Sequence, residues 1–161
     1  MIISNLIAQI RGIYDGKLWM GDNMKQKLSS LSDGEAFAKP KDSLHSVAEL
    51  VAHMTAWNQD ARIQLETGKG VLQVNTSDDW PDNDSLQKKG WSEVVSDFEQ
   101  SNDALTSFLA TKEDSFLSEP SKDTDHNAVF TRLHVIEGII HHQLYHLGQV
   151  GLVIKLIKEG K

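Results

Sequence analysis

Apolar residues recur at intervals of three and four along four long segments of this chain. The segments are residues 2–14, residues 47 to about 68, residues 91–111 and residues 128–158. Such spacing gathers the apolar side chains on one face of an α-helix, where they can pack against a neighbouring helix. Because strand patterns are scarce elsewhere, the sequence predicts an all-α fold, a four-helix bundle with long loops between the helices.

Two of the connections carry clear signals of a helix start. Ser46 and Glu49 have the Ser-x-x-Glu spacing of a capping box, in which the two side chains satisfy backbone donors that a helix leaves unpaired. Ser32 and Glu35 repeat this spacing before a stretch that ends at Pro40. The sequence therefore predicts that the second long helix begins after Ser46 and that a short helical turn follows Ser32.

The other connections are expected to be less regular. Glycines bracket Trp19 within residues 16–21, which indicates a loop, and a short helix is expected over residues 23–31. Residues 68–90 are rich in Gly, Asn, Asp and Ser, and we expect one long loop there. Residues 112–127 are expected to form a polar connection. A loop as long as 68–90 either carries function or crosses the end of a bundle.

Composition narrows the class of protein. The chain has 161 residues, of which 39% are hydrophobic and 24% charged, and these values indicate a single globular domain over residues 1–161. Its formal net charge is −7, and Lys88-Lys89 is its only adjacent basic pair. Nucleic acid and anionic membranes bind clustered basic residues, so neither is an expected partner.

The sequence also lacks the features of cysteine-based sites, of membrane spans and of secreted proteins. There is no cysteine, which excludes disulfides, zinc–thiolate sites and thiol nucleophiles. No stretch approaches the 18 or so consecutive apolar residues of a membrane span. The first residues also lack the charged flank and cleavage pattern of a signal peptide, and we therefore expect a cytoplasmic protein.

The seven histidines are the most informative residues. They are His45, His53, His126, His134, His141, His142 and His146. Only His142 and His146 are separated by four residues, a spacing that places both imidazoles on one face of a helix within reach of one ion. That spacing also arises by chance, so alone it is weak evidence.

Helical phase adds to this spacing. With His142 as zero and about 100° per residue, the apolar positions of the last helix fall between about 20° and about 120°. Those positions are Ile136, Ile139, Val150, Val153, Ile154 and Ile157. His146 falls on this stripe and His142 at its edge, whereas His134 and His141 fall on the opposite face. We therefore expect two histidines to point inward, where an imidazole needs either hydrogen-bond partners or a metal.

A catalytic zinc site usually has three protein ligands, and His53 is the best third candidate. It lies in the middle of the second helix, beside Leu50, Met54 and Trp57, and bundles supply inward ligands from facing helices in this way. A mid-helix histidine is also common as a core or surface residue with ordinary hydrogen bonds. His45 is expected in a loop before the cap, and His126 in the polar connection.

Four further residues lie close to these histidines in sequence or phase. Glu49 is expected to be a helix cap and, as the alternative, a carboxylate behind a metal ligand. Trp57 is interpreted as core or as a platform for substrate. Tyr145 and Gln149 fall beside the ligand face of the last helix, where they either orient a ligand or water or are simply solvated.

Two longer motifs carry a family resemblance. Residues 46–57 read SVAELVAHMTAW and resemble the second helix of the DinB/YfiT-like superfamily. Residues 138–150 read GIIHHQLYHLGQV and resemble its last helix, in which His-x-x-x-His is followed by Gly-Gln. The early stretch around Tyr14, Trp19 and Gly21 is similar to one branch of that family.

The resemblance implies a four-helix bundle, often a homodimer, with nickel or zinc held by one histidine of the second helix and two of the last. On this chain these are His53, His142 and His146. It also implies metal-dependent transferases or isomerases that use low-molecular-weight thiols such as bacillithiol or mycothiol. The chain departs from that branch at Met20, where a histidine often stands, and it shows no basic pocket for the carboxylates of a charged thiol.

The sequence leaves three hypotheses for function. The first is a metal-dependent enzyme that transfers a thiol, or more simply water in a hydrolysis, to a small electrophile near Trp57. The second is a non-catalytic, stress-related bundle in which the ion only ties two helices together. The third is a bundle whose buried histidines are merely hydrogen-bonded.

Overall fold

The computed structural model describes residues 2–123 and 128–160, and within them four long helices form the bundle. The long helices are α1 (Ile2–Asp15), α4 (Val47–Thr67), α6 (Trp91–Ala110) and α7 (Arg132–Glu159). Three shorter helices, α2 (Met24–Ser29), α3 (Asp33–Phe37) and α5 (Asn83–Lys89), lie in the connections. The predicted four-helix bundle is thus confirmed.

The apolar faces of the long helices meet in one core. Each contributes fully buried side chains, among them Ile10 of α1, Met54 of α4, Phe98 of α6 and Ile136 of α7. Burying a side chain of this size contributes about 1.5–3 kcal/mol, so the periodic apolar positions hold the bundle together. No helix in the described part of the chain has the length and apolar character needed to cross a bilayer.

Both predicted capping boxes are present. The Ser46 side chain accepts a hydrogen bond from the Glu49 backbone N–H at 3.1 Å, and the Glu49 carboxylate accepts one from the Ser46 N–H at 2.8 Å. Ser32 and Glu35 make the equivalent pair at the start of α3. At its other end α4 stops at Gly68, whose φ of 81° is readily adopted only by glycine.

The prediction of one unbroken loop over residues 68–90 is wrong, because α5 lies within it. Asp82 caps this helix by accepting a hydrogen bond from the Ser85 N–H. Leu86 is its one buried residue. A helix of two turns with a single apolar anchor has no periodicity to detect, so the sequence pattern missed it.

The predicted start of the last helix at residue 128 is also wrong. Ala128–Thr131 form strand β2, which pairs antiparallel with strand β1, Pro120–Asp123, and α7 begins only at Arg132. Thr131 caps that helix by accepting from the His134 N–H. The β-branched and aromatic side chains of residues 129–131 favour a strand over a helix start. The connection before β1 also contains a short 3-10 helix over Asp114–Ser118.

Helices α4 and α7 run antiparallel and form the walls of the functional region. The His53 ring of α4 contacts His146 of α7, while Trp57, one turn further along α4, contacts His142, one turn earlier on α7. A buried hydrogen bond from Gln143 to Asn58 joins the same helices. This pairing fixes which residues of the two helices face each other.

Candidate metal centre

Three histidines from two helices converge inside the bundle. His53 lies on α4, while His142 and His146 lie one turn apart on α7. The Nε2 atom of His142 lies 3.0 Å from Nε2 of His53 and 2.9 Å from Nε2 of His146. His53 and His146 are buried, and His142 is partly buried. The structure therefore brings together the three residues that helical phase and the family resemblance single out.

Asp79 fixes the orientation of the His53 ring. The Nδ1 atom of His53 lies 2.8 Å from the Asp79 Oδ1 atom and 3.0 Å from the Asp79 carbonyl oxygen. Because both oxygens are acceptors, Nδ1 carries the proton and donates, and Nε2 of the neutral ring is left with a free lone pair. The Asp79 carboxylate also accepts from Trp57 Nε1–H and from the Asn75 backbone N–H, each at 2.8 Å.

Gln149 plays the same part for His146. The Nδ1 atom of His146 lies 2.6 Å from the Gln149 Oε1 atom, and the Gln149 amide nitrogen donates to the Tyr145 hydroxyl at 3.0 Å. This second bond places the amide oxygen toward the imidazole, so Nδ1 of His146 donates to it. The Nε2 atom of His146 therefore also presents a lone pair to the centre of the cluster.

The third ring cannot satisfy both of these lone pairs. A neutral imidazole has one N–H, and on Nε2 of His142 it reaches only one of its two neighbours. On Nδ1 the proton has no acceptor in the described part of the chain, where that atom is buried and without a partner. A cation held between the three Nε2 atoms accepts all three lone pairs, so these residues fit a metal ion.

Burial keeps the three imidazoles uncharged. Burial, and then repulsion from His146 and His53, lowers the pKa of His142 from 6.5 to about 3. Burial, and then repulsion from His53, lowers the pKa of His146 from 6.5 to about 4. The pKa of His53 is also lowered by burial, although Asp79 opposes that effect. At neutral pH all three rings are in the form that binds metals.

The spacing of the nitrogen atoms suits a small divalent ion. The potential ligand atoms of the three histidines all lie within 4.8 Å of one another. Nitrogen ligands about 2.0–2.1 Å from a tetrahedral zinc lie about 3.3–3.4 Å apart, a few tenths of an ångström above the observed separations. Only a small outward movement of the rings is needed to accommodate the ion.

A stack of three rings covers one side of the cluster. Trp80 lies parallel to the His53 ring at 3.8 Å between centroids, and His45 stacks on the opposite face of Trp80 at 3.9 Å. Trp57 approaches His142 edge-on at 5.9 Å and His53 edge-on at 6.3 Å between ring centroids. These indole rings restrict the movement of the imidazoles.

A cavity of about 840 Å³ extends from the histidines along the groove between α4 and α7. Its lining includes aromatic rings, three carboxylates and the three histidines. The aromatic residues are Trp57, Trp80, Phe130 and Tyr145, and the acidic residues are Asp60, Asp79 and Asp123. Among the described residues that line it, none is lysine or arginine. The cavity is large enough for a small organic substrate.

The predicted neighbours of the histidines fall into two groups. Trp57, Tyr145 and Gln149 line the cavity, so each lies where it can touch a bound molecule. Glu49 is a helix cap, and it also pairs with Lys39 at 2.8 Å. It further contacts Ser46 and His45. None of its hydrogen bonds or ion pairs among the described residues reaches a clustered histidine, which leaves no support for the alternative of a carboxylate behind a metal ligand.

The remaining histidines lie outside the cluster. His141 is exposed, as the helical phase predicts. His134 is exposed too, but it stacks on Phe130 at 4.3 Å and lines the cavity, so it faces the site rather than the opposite side of the helix. His45 lines the cavity through its contact with Trp80, and His126 lies outside the described residues.

Sequence reasoning missed two residues of the site. Asp79, which is only 2% exposed, and Trp80 both come from the connection that was predicted to be a loop. No periodic pattern marks them, and His53 is far away in the sequence. The one available signal was the length of that connection, since long ordered loops in compact domains often carry function.

Comparison with known sequences places this arrangement in context. The sequence profile of the DinB superfamily matches residues 19–150, a span that contains all three clustered histidines. No curated protein matches the chain.

Solved structures share the fold. One is YfiT from Bacillus subtilis, which is described as a probable metal-dependent hydrolase with an unusual four-helix bundle topology. It has a TM-score of 0.65 at 12% identity, and the match covers 94% of this chain and 82% of YfiT. The DinB-like protein YjoA from Bacillus subtilis has a TM-score of 0.65 at 12% identity, and the match covers 100% of this chain and 94% of YjoA. A conserved protein from Enterococcus faecalis has a TM-score of 0.63 at 16% identity, and the match covers 99% of this chain and 94% of that protein.

Proposed function

Because the chain belongs to the DinB superfamily, we propose that it is a metal-dependent enzyme that transfers water to a small electrophile bound between α4 and α7. His53, His142 and His146 hold a divalent metal, zinc or nickel, through their Nε2 atoms. The observation that carries this proposal is the convergence of three imidazoles whose Nε2 lone pairs cannot all be satisfied by the described protein groups.

The metal and the chain divide the chemistry between them. When held by these three neutral imidazoles, a divalent ion would supply Lewis-acid chemistry that activates water or a thiol and polarises an electrophile. Asp79 and Gln149 keep the Nδ1 protons of His53 and His146 in place. Tyr145 accepts a hydrogen bond from Gln149, so its own hydroxyl proton remains available to a substrate atom.

The charge of the cavity favours water over a charged thiol as the transferred group. A thiol that carries carboxylates needs basic side chains to bind it, whereas the described cavity lining contains three carboxylates and neither lysine nor arginine. Water needs no such pocket. Hydrolysis is therefore the function that these contacts support best.

Transfer of an uncharged low-molecular-weight thiol is the second candidate. The cavity volume of about 840 Å³ lies toward the upper end of the range of about 300–1,000 Å³ for small-molecule sites. It therefore has room for a thiol beside an electrophile. A comparison of esters and epoxides, with and without an added neutral thiol, separates the two reactions.

The test combines metal analysis with activity. Purified protein is expected to take up one equivalent of zinc or nickel and to hydrolyse small esters only when loaded. His142→Ala should reduce metal affinity by about 100-fold or more and abolish activity. His141→Ala, which changes the exposed neighbour, should alter neither.

Two results would count against the proposal. Equal loss of metal from both alanine variants would mean that the clustered rings are not the ligands. Full metal loading with no turnover of esters, epoxides or thiols would favour the non-catalytic metal-binding bundle.

A further inference from the structure

A glycine on α7 keeps the middle of the cavity open. Gly138 lies midway between His142, in the cluster, and His134, which is about 12 Å from His142 along the helix axis. It lines the cavity, and a Cβ atom added there would meet nothing within 4 Å. Any larger residue at this position would project into the space between the histidine cluster and the hairpin.

The opposite wall, on α4, carries a buried acid on the side of the cavity away from the histidine cluster. Asp60 lies seven residues beyond His53 on α4, about 10 Å further from the cluster. It is 6% exposed and lines the cavity. Its Oδ1 atom accepts from the backbone N–H groups of Val71 and Leu72 at 2.6 and 2.7 Å. These donors are neutral, so they orient the carboxylate without cancelling its charge.

The end of the cavity away from the histidine cluster, beside the β1–β2 hairpin, is also acidic and aromatic. Asp123 of β1 and Phe130 of β2 line this far end, and Trp57 lies between it and the histidines. Aromatic faces and carboxylates together attract cations. Anions gain no counter-charge there, because the described lining has no lysine or arginine.

We propose that the substrate is an elongated small molecule with a cationic ammonium end. Its reacting group lies at the histidine cluster, its body lies over Gly138, and its ammonium group lies near Asp60 and Asp123. This inference rests on the proposed function, because it assumes that chemistry occurs at the three histidines. It makes Gly138 a residue that determines specificity by its lack of a side chain.

A series of three esters tests the charge preference. The probes are acetate esters of one alkyl chain that ends in a trimethylammonium, a tert-butyl or a carboxylate group, so that size is nearly constant between the first two. Isothermal titration with zinc-loaded protein should show the ammonium ester binding about tenfold more tightly than the neutral one, which corresponds to about 1.4 kcal/mol. The carboxylate ester should bind most weakly.

Equal binding of the three esters, or preference for the carboxylate, would overturn this inference. Hydrolysis of all three at equal efficiency would do the same while leaving the proposed hydrolase function intact. Ordered binding without any hydrolysis would instead support the cation-binding cavity and contradict the proposed hydrolase function.

Two glycine variants of α7 form a matched pair. Gly138→Leu should weaken binding of the ammonium ester by about tenfold or more, with zinc affinity unchanged. Gly148→Leu is the control, since Gly148 is exposed on the same helix, has nothing within 4 Å of an added Cβ and is absent from the cavity lining. It should change neither property. If Gly138→Leu binds the ammonium ester with the same affinity as the unmodified protein, the substrate does not lie over this glycine.

Discussion

At the scale of single residues, the direction in which an imidazole offers its lone pair depends on the hydrogen bond at its other nitrogen. Asp79 sets that direction for His53, and Gln149 sets it for His146. His142 has no such partner among the described residues. Hydrogen bonds at Nδ1 therefore orient the two outer rings of the cluster, whereas the middle ring is held by its contacts with Trp57 and with the other two imidazoles.

Replacing Asp79 tests this role. Asp79→Asn keeps the size of the side chain but removes its charge, and its amide can turn a donor toward His53 and so favour the wrong tautomer. Zinc affinity should fall by about 10–100-fold, measured by competition with a chelating dye. Asp78→Asn, at the exposed neighbouring position, should leave the affinity unchanged. An equal fall in both variants would point to a general effect of charge.

The low pKa values predict how the metal-free protein responds to acid. In the unfolded chain a histidine binds a proton near pH 6.5, whereas folded His142 and His146 do so only near pH 3 and 4. Between these values the unfolded state holds more protons, so the free energy of unfolding must decrease as the pH falls. Urea denaturation in the presence of chelator, from neutral pH to about pH 4, should show this loss.

The control for this acid effect is a variant with one clustered histidine removed. His142→Ala lacks one of the groups that the fold keeps unprotonated, so its stability should fall less steeply over the same pH range. Identical pH slopes for the variant and the unmodified protein would contradict the lowered pKa of His142.

At the scale of secondary-structure elements, local signals were sufficient where a helix had a long apolar face, whether or not a side chain caps it. The starts of α4 and α6 and the whole of α1 follow the sequence pattern to within a residue or two. The α5 helix and the β1–β2 hairpin were not predicted. Both are short: α5 has seven residues with Leu86 as its buried anchor, and each strand has four residues, so neither is long enough to show a clear period.

The two capping boxes should differ in their contribution to stability. Ser46 is buried, and its hydroxyl donates to the Asn83 side chain at 2.7 Å while it caps α4. Ser46→Ala should therefore cost about 1–2 kcal/mol of unfolding free energy. Ser32→Ala, at the exposed start of the five-residue α3, should cost less than about 1 kcal/mol. Chemical denaturation of both variants provides the comparison, and equal costs would argue against a role for the Asn83 contact.

At the scale of the whole molecule, the histidine cluster and a buried polar junction lie side by side and connect the same helices. Gln143, the residue after His142, donates to Asn58 of α4 and to Asn102 of α6. Its side chain is fully buried, on the face where the pattern otherwise places apolar residues. The junction aligns α7 with its neighbours and so contributes to the position of the cluster.

Metal binding should therefore stabilise the entire bundle. An ion that joins α4 to α7 binds only the folded state, and at a free concentration 100 times its Kd it adds about 2.7 kcal/mol. For a chain of this length that is a rise in Tm of about 5–10 °C. Differential scanning calorimetry with zinc and with chelator measures it. His53→Ala should show no rise, and a rise that persists in this variant would locate the binding elsewhere.

The four-helix bundle and the pair His142 and His146 could be predicted because both follow from regular helical spacing, and His53 followed from its mid-helix position and the family motif. The position of Asp79 could not, since it depends on how a connection of irregular conformation packs over α4. Whether the chain forms the homodimer that the family resemblance implies stays a prediction, which analytical ultracentrifugation tests.

Because Trp80 stacks on His53, tryptophan fluorescence should report which metal ion has bound to the histidines. Two of the protein's four tryptophans, Trp57 and Trp80, lie within a few ångströms of the ligand rings, whereas Trp19 is entirely exposed. Nickel has a partly filled d shell and should quench the fluorescence of the two nearby indoles, leaving the red-shifted emission of Trp19 and the emission of buried Trp91. Zinc, with a filled d shell, should leave their emission largely intact. The wavelength and intensity of the emission therefore distinguish which ion has bound.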